Sequence, residues 1–189
     1  MKCDQLEKVI RDCQNGKSDA FAGLLNQFGT KLFRFFLRNT GSREDAQDLL
    51  QEVFIKLLEN IKGYRHKGRF ESWLFIVAAN LLRDHYRKRN RRIKTHTLES
   101  DYDPEGRKQS EPVAPNPLPQ QELEKHEQLD RLQQALMILT PLDREIVMLR
   151  HYGGLTFQEL AEHFKIPLGT ALAKVHRSLK KLRKNMKNE

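Results

Sequence analysis

Five of the seven prolines of this 189-residue chain, Pro104, Pro112, Pro115, Pro117 and Pro119, fall within one short stretch. Proline lacks the backbone donor and blocks continuation of a helix, so that stretch packs into no regular element. The chain is thereby divided into two lobes, 1–94 and 121–189, by a linker at 95–120. From Glu99 to Glu127 there are eight acidic residues against three basic ones, so the linker is acidic as well as flexible. Helical domains of the size of these lobes can still bury a working core.

Both lobes carry helical periodicity. Phe21, Leu24, Leu25 and Phe28 mark one helix that continues toward Leu32, Phe35 and Phe36. Ala46, Leu49, Leu50, Val53, Phe54, Leu57, Leu58 and Ile61 follow the i, i+3, i+4, i+7 spacing and are expected on one buried stripe. Ser42 and Asp45 resemble a capping box at the start of that helix. A third helix is expected to bury Phe70, Trp73, Leu74, Val77 and Leu81 before it runs into charge.

Beyond the linker, Leu123, Leu129, Leu132, Leu136 and Leu139 predict a helix ended by Thr140-Pro141, a cap followed by a proline suited to a first helical turn. The next helix runs from there to His151 and stops at Gly153-Gly154. Thr156 and Glu159 form a capping box for a short helix through His163, and Lys165-Ile166-Pro167 makes a turn. A final helix from about Gly169 is expected to place Leu168, Leu172, Val175, Leu179 and Leu182 inward. Two short helices joined by a tight turn, the second bearing basic residues, make a helix-turn-helix. No alternating strand pattern is long enough to matter, so the fold class is all-α, with two small helical domains.

The formal net charge of +9 and isoelectric point near 9.6 point to a polyanionic partner. Nucleic acid fits better than membrane, because the apolar runs are short and amphipathic. No stretch approaches the roughly 18 apolar residues of a membrane span and the N-terminus lacks the apolar core of a signal peptide, so a cytoplasmic location and no membrane contact are expected. On one helix Cys3 and Cys13 would lie about 15 Å apart, too far for a disulfide. The seven histidines fall into no zinc-ligand spacing and read as surface or boundary residues. No metal and no cofactor are expected.

Three charged features remain. Opposite the apolar stripe of the second helix lie Asp45, Asp48, Gln51, Glu52 and Glu59, with Lys56 the only base. Such a face repels DNA and suits a basic protein surface, or else is simply solvated. The run Lys62-Gly63-Tyr64-Arg65-His66-Lys67-Gly68-Arg69 combines bases with a ring in a glycine-flanked loop, a composition that suits unstacked single-stranded bases. The helix after it gathers Arg83, Arg87, Lys88, Arg89, Arg91, Arg92 and Lys94, seven bases in twelve residues, which raises phosphate affinity and its salt dependence. Asn80, Arg83, Asp84 and Arg87 share a polar stripe on that helix. On the last helix Thr170, Ala173, Lys174, Arg177 and Lys181 point outward, and Gly169-Thr170 offers amides to a phosphate.

Assembled in this order, the segments Asp45-Ala46-Gln47-Asp48-Leu49-Leu50-Gln51-Glu52-Val53-Phe54, Arg69-Phe70-Glu71-Ser72-Trp73-Leu74 with Asn80 and Asp84, and Leu139-Thr140-Pro141 through Gly169-Thr170 to His176-Arg177 resemble the extracytoplasmic-function sigma factors over nearly the whole chain. The resemblance implies a region-two-like helical bundle and a region-four-like helix-turn-helix, and a protein that catalyses nothing itself. It implies that Asp45, Asp48, Gln51 and Glu52 dock on the clamp helices of the largest subunit of core RNA polymerase. It assigns melting and reading of the minus-ten promoter element to Tyr64, Arg65, Lys67, Arg69, Trp73, Asn80, Arg83, Asp84, Arg87, Lys88 and Arg91. Reading of the minus-thirty-five element falls to Thr156, Gly169, Thr170, Ala173, Lys174, Arg177 and Lys181. The linker is expected to join the two lobes across polymerase, spanning up to roughly 85 Å if extended, and control is expected from a separate anti-sigma factor. One departure stands out: where the family usually places valine, a base, serine and a base after Gly169-Thr170, this chain has Ala171, Leu172, Ala173 and Lys174, so minus-thirty-five recognition is expected to be weaker or to read a different sequence.

Two rival readings use the same residues. A polymerase-independent helix-turn-helix repressor or activator would explain the second lobe but has no use for the acidic helix and basic loop of the first. A recombinase or nuclease would need convergent carboxylates or a nucleophile with its base, which the sequence does not bring together.

Overall fold

The computed structural model describes residues 3–96 and 120–186, and all regular structure among them is helical. The linker assigned to 95–120 lies almost entirely outside the described residues. Helix α1 spans Cys3–Gln14 and α2 Ser18–Thr40. Gly41, at φ 74°, ends α2 in the left-handed conformation that a side chain disfavours, and its amide donates to the Leu37 carbonyl. The chain then folds back at once into α3, Arg43–Asn60, so that Phe21 near the start of α2 meets Phe54 edge to face at 6.0 Å. A single 3-10 turn over Ile61–Gly63 and the 64–69 loop lead to α4, Phe70–His96. Phe28 packs against Phe70 and Phe35 against Phe75, with ring centroids 5.6 and 5.5 Å apart, which lays α4 along α2.

The Ser42 side chain accepts from the Asp45 amide, the forward half of the expected capping box. The return half is absent: the Ser42 amide donates to the Thr40 hydroxyl, and the Asp45 carboxylate lies near the His85 ring instead. The apolar stripe of α3 holds for Ala46, Leu49, Val53, Phe54 and Leu57, with Ile61 buried just after it. Leu50 is only partly covered and Leu58 is 51% exposed, a correction to the sequence reading. Helices α2 and α4, which pack against α3, cover a narrower arc than the full stripe, and both leucines fall outside it.

In the second lobe α5 spans Gln120–Met137, α6 Pro141–Tyr152, α7 Phe157–Phe164 and α8 Leu168–Asn185. Thr140 caps α6 with Pro141 in its first turn, and Thr156 with Glu159 forms the complete capping box of α7. Lys165 makes the α7–α8 turn at φ 53°, where its amide closes on the Glu162 carbonyl. Helix α8 is rotated relative to the expected inner face. Ala171, Val175, Ser178 and Leu182 are buried, whereas Leu168 and Leu179 are nearly half exposed. Small residues at 171 and 178 let α8 approach its neighbours more closely than a leucine face would.

The two lobes share one continuous core. Helix α4 carries a second apolar face, Phe75, Ala78, Ala79 and Leu82, which is fully buried; α6 packs against both α2 and α4. Gly153, at the end of α6, sits so close to α4 that a β-carbon there would lie 2.8 Å from that of Phe75. By contrast Trp73 and Val77, expected in the core, are only partly covered.

Candidate nucleic-acid interface

Helix α3 presents the acidic face foreseen in the sequence, but not as carboxylates alone. Asp48 and Gln51 are exposed and Glu52 partly so, and between them and Glu59 stand Ile55 and Leu58, 56% and 51% exposed. Leu58 was expected in the buried stripe and Ile55 was in neither the apolar stripe nor the acidic face of the sequence reading; together they make the face amphipathic. Asp45 lies at its edge, partly covered, with its carboxylate 3.6 Å from the His85 ring nitrogen.

The loop before α4 is held rather than free at its base. The Gln14 side-chain amide donates to the Ile61 and Tyr64 carbonyls at 2.9 and 2.7 Å. The Tyr64 ring lies 4.6 Å from Trp73 and 5.3 Å from Phe70, and burial pushes its hydroxyl pKa up. Arg65 and Lys67 project into solvent and Gly68, at φ 72°, turns the chain into α4. The result is a half-covered aromatic step, Tyr64 and Trp73, beside two exposed cations, a surface on which an unpaired base can stack.

Along α4 the polar residues divide into two sets. Asn80, Arg87, Lys88 and Arg91 are exposed, and Arg87 pairs with Asp84 one turn earlier. The side chain of Arg92 and those beyond it lie outside the described residues. Arg69 and Arg83 are instead engaged by the second lobe. Arg69 pairs with Glu159, and Arg83 reaches Glu145 at 2.9 Å and His163 at 2.7 Å while its guanidinium stacks 4.7 Å above the Phe164 ring. His163 was expected at the surface or a boundary; its side chain is 8% exposed, because it closes this cluster between lobes.

On the helix-turn-helix, Gly169, Ala173, Arg177 and Lys181 are exposed on one side of α8 and Thr170 is partly covered. Lys174 is not free for a ligand, since its ammonium sits 2.9 Å from Asp143 of α6. Burial disfavours the Asp143 carboxylate, but hydrogen bonds from Lys174 and Thr140 and the charges of Lys174 and Lys181 outweigh it and hold its pKa below the usual range. Two sequence expectations change here. Helix α8 starts at Leu168, one residue early, so the Thr170 amide already donates to the Pro167 carbonyl at 2.9 Å. Thr156 spends its hydroxyl on the α7 cap, accepting from the Glu159 amide and donating to the Glu159 carboxylate. A separate groove of about 510 Å³ opens beside α8, lined by Leu132, Leu136, Met148, Tyr152 and Leu179 and edged by Arg38 and Arg150.

Residues 24–92 match the family model of sigma-70 region 2 and residues 129–182 that of sigma-70 region 4. The ECF RNA polymerase sigma factor SigW of Bacillus subtilis is 29% identical over 185 residues, covering 97% of this chain and 97% of the relative. SigE of Mycolicibacterium smegmatis, also an ECF sigma factor, is 33% identical over 160 residues, covering 85% of this chain and 59% of the relative. Among solved structures, the sigma factor RpoE of Bartonella quintana in complex with the anti-sigma factor NepR superposes with a TM-score of 0.67 at 21% identity, covering 89% of this chain and 98% of that one. CnrH, in complex with the cytosolic domain of CnrY, gives 0.62 at 18% identity, covering 93% of this chain and 92% of that one.

Proposed function

The chain belongs to the extracytoplasmic-function sigma factors of the sigma-70 family, which direct promoter-specific transcription initiation, and from that premise we propose how its residues divide the work. Residues 1–94 bind core polymerase and the minus-ten element, 95–120 link the lobes, and 121–189 read the minus-thirty-five element. Helix α3 is the polymerase contact, through Asp45, Asp48, Gln51, Glu52 and the added Ile55 and Leu58. An apolar pair ringed by carboxylates loses little on leaving water and repels DNA, and so fits a basic, partly apolar protein surface such as the clamp helices. Tyr64, Arg65, Lys67, Arg69, Trp73, Asn80, Arg83, Asp84, Arg87, Lys88 and Arg91 form the minus-ten surface, with the Tyr64–Trp73 step receiving unpaired bases. Gly169, Thr170, Ala173, Arg177 and Lys181 face the minus-thirty-five duplex, Lys174 and Thr156 acting through the shape of the lobe.

The single observation that carries this reading is that neighbouring helices of one lobe display opposite faces: α3 an acidic and apolar one, α4 a row of exposed bases. A repressor acting alone needs only the second. We assign no reaction to the chain, since the relatives it matches are sigma factors. Its place of action is the cytoplasm, where polymerase works; among the described residues no helix is long and apolar enough to cross a membrane. An anti-sigma protein is the expected regulator, and the groove beside α8 offers it apolar surface edged by arginines.

Run-off transcription with purified core polymerase on genomic promoter fragments, with this protein and with Asp48→Arg, tests the assignment. Initiation that depends on the protein and fails with the variant is expected. Tight duplex binding that never supports initiation with the cognate core would give the repressor reading its place.

A further inference from the structure

Helix α1 lies ahead of residue 24, where the match to sigma-70 region 2 begins, yet it touches the loop assigned above to unpaired DNA. It packs on α2 and on the Ile61–Gly63 turn, and its last residue, Gln14, supplies the polar part of the contact with the turn. Both protons of the Gln14 side-chain amide are engaged: Nε2 donates to the Ile61 carbonyl at 2.9 Å and to the Tyr64 carbonyl at 2.7 Å, across 47 and 50 residues of sequence. The Tyr64 backbone amide closes the turn on the same Ile61 carbonyl at 3.1 Å, so one side chain ties both ends of the turn together.

Helix α1 does not need this clasp to stay attached. Ile10 and Cys13 are buried and Leu6 and Val9 pack against the same core, an apolar attachment worth more than two neutral hydrogen bonds. The loop does need it. Gly63 and Gly68 flank the loop, Arg65 and Lys67 stand in solvent, and the chain leaves the turn in extended form at Tyr64, with φ −71° and ψ 126°. Holding the Tyr64 carbonyl fixes that exit, and with it the ring that lies 4.6 Å from Trp73 and 5.3 Å from Phe70. We propose that Gln14 is a positioning residue for promoter opening: it holds Tyr64 against Trp73, so that the aromatic step is formed before an unpaired base arrives. A step already in place removes the cost of ordering the loop from the moment of base capture. The proposal rests on the assignment of the Tyr64–Trp73 step to unpaired minus-ten bases.

Trp73 is the chain's single tryptophan, so its emission in the free full chain reports whether Tyr64 covers it. Gln14→Met removes both donors at unchanged charge, and Gln14→Glu removes them at nearly unchanged shape. In either variant acrylamide should quench Trp73 about twofold more strongly, with helix content by far-UV circular dichroism unchanged. Opening is then read in holoenzyme rebuilt with core polymerase, on a promoter fragment identified by run-off transcription. Permanganate reactivity of the minus-ten thymines should appear about tenfold more slowly, the loss expected from one to two neutral hydrogen bonds. Binding of the same fragment at low temperature, which rests on duplex contacts, should change less than about twofold. Gln14→Lys, whose ammonium can donate to both carbonyls, should bring quenching and opening to within about twofold of the wild type. A residue that merely anchored α1 would lower stability and leave both readouts of the folded chain unmoved. Unchanged quenching in the Met and Glu variants, or normal opening despite altered quenching, would overturn the proposal. Tyr64→Ala separates it from its premise. If Tyr64→Ala opens the promoter normally, the minus-ten assignment falls and the proposal with it. If Tyr64→Ala is slow, adding Gln14→Met should slow opening no further, because Gln14 acts through Tyr64. A further loss would show Gln14 acting elsewhere and overturn the proposal alone.

Discussion

Replacing Arg144 by methionine should destabilise the chain by about 2–4 kcal/mol, and the loss should exceed additivity when Tyr86→Phe is combined with it. Arg144 is buried on α6 and its guanidinium closes the ends of two helices at once. Its Nε donates to the Leu136 carbonyl at 2.8 Å and Nη2 to the Met137 and Leu139 carbonyls at 3.3 and 3.2 Å, while Nη1 donates to the Asn39 carbonyl. These carbonyls lie in or just past the last turns of α5 and α2, where the helix supplies no amide of its own. Methionine fills the space of the arginine stem and removes every donor. Leu136 keeps the Leu139 amide at 3.1 Å and Asn39 keeps the Tyr86 hydroxyl at 2.7 Å, so the single variant strands chiefly Met137 and Leu139. Each stranded carbonyl costs about 1–3 kcal/mol, toward the lower end here because the neighbouring Ile138 is exposed and water has access. Release of the guanidinium from burial, which already pulls its pKa down, offsets part of the loss. Tyr86→Phe alone removes one hydrogen bond, worth about 1 kcal/mol. The double variant leaves the buried Asn39 carbonyl with neither donor and should cost about 1–2 kcal/mol beyond the sum. Urea denaturation of the four proteins, followed by far-UV circular dichroism at constant slope, measures the cycle. Additive losses, or a double variant less damaged than the sum, would refute the shared-acceptor argument.

Lys165→Gly should raise stability by about 0.5–1 kcal/mol in thermal melts, because the lysine occupies a left-handed turn that glycine adopts without steric cost; a loss would mean that its side chain contributes to the turn. The Asp143 carboxylate has a folded pKa below its unfolded value, so it stabilises the chain above the ordinary carboxylate range and that stability disappears as pH falls through the folded value. Urea midpoints from about pH 6 down to about pH 3 should fall more steeply for the wild type than for Asp143→Asn, and parallel curves would contradict the pairing with Lys174. In duplex binding, Arg177→Ala should weaken affinity and lower the salt slope by about one, because its guanidinium is exposed on α8. Lys174→Met should do much less, its charge being held by Asp143, and equal losses would place Lys174 on the DNA after all.

Features built from neighbouring residues were the ones legible in the sequence. Thr140 with Pro141, Thr156 with Glu159, and the stop at Gly153 act within a few residues, so local sequence alone locates α6 and α7 closely. The core of the first lobe was legible for the same reason, since Leu49, Val53 and Leu57 repeat at the helical period on one helix. Helix α4 marks the limit of that logic. Periodicity picks out one stripe, Phe70, Leu74 and Leu81, but α4 is buried on two sides, and the second side is half alanine, whose small apolar signal does not separate a packed face from an exposed one. On α8 the same weakness reversed the outcome: leucines at 168 and 179 outweighed Ala171 and Ser178 in the pattern, although the small residues allow the close approach.

The charged residues raise a stricter version of the problem. The stretch from Arg83 to Lys94 reads as one surface because seven of its twelve residues are basic, yet Arg83 is claimed by Glu145, 62 residues away, and Arg69 by Glu159, 90 residues away. No local rule couples such distant positions, so sequence reasoning assigns these arginines to DNA without seeing that the chain carries acidic partners for them. The same is true of His163, which looks like any polar residue near the end of a short amphipathic helix until α4 is placed against it. Assigning a ligand from charge alone therefore requires asking first which opposite charges the fold itself brings within reach. For this chain the answer differs within a few turns: Lys88 is exposed for a ligand to reach, whereas Arg69 and Arg83 must first give up carboxylates.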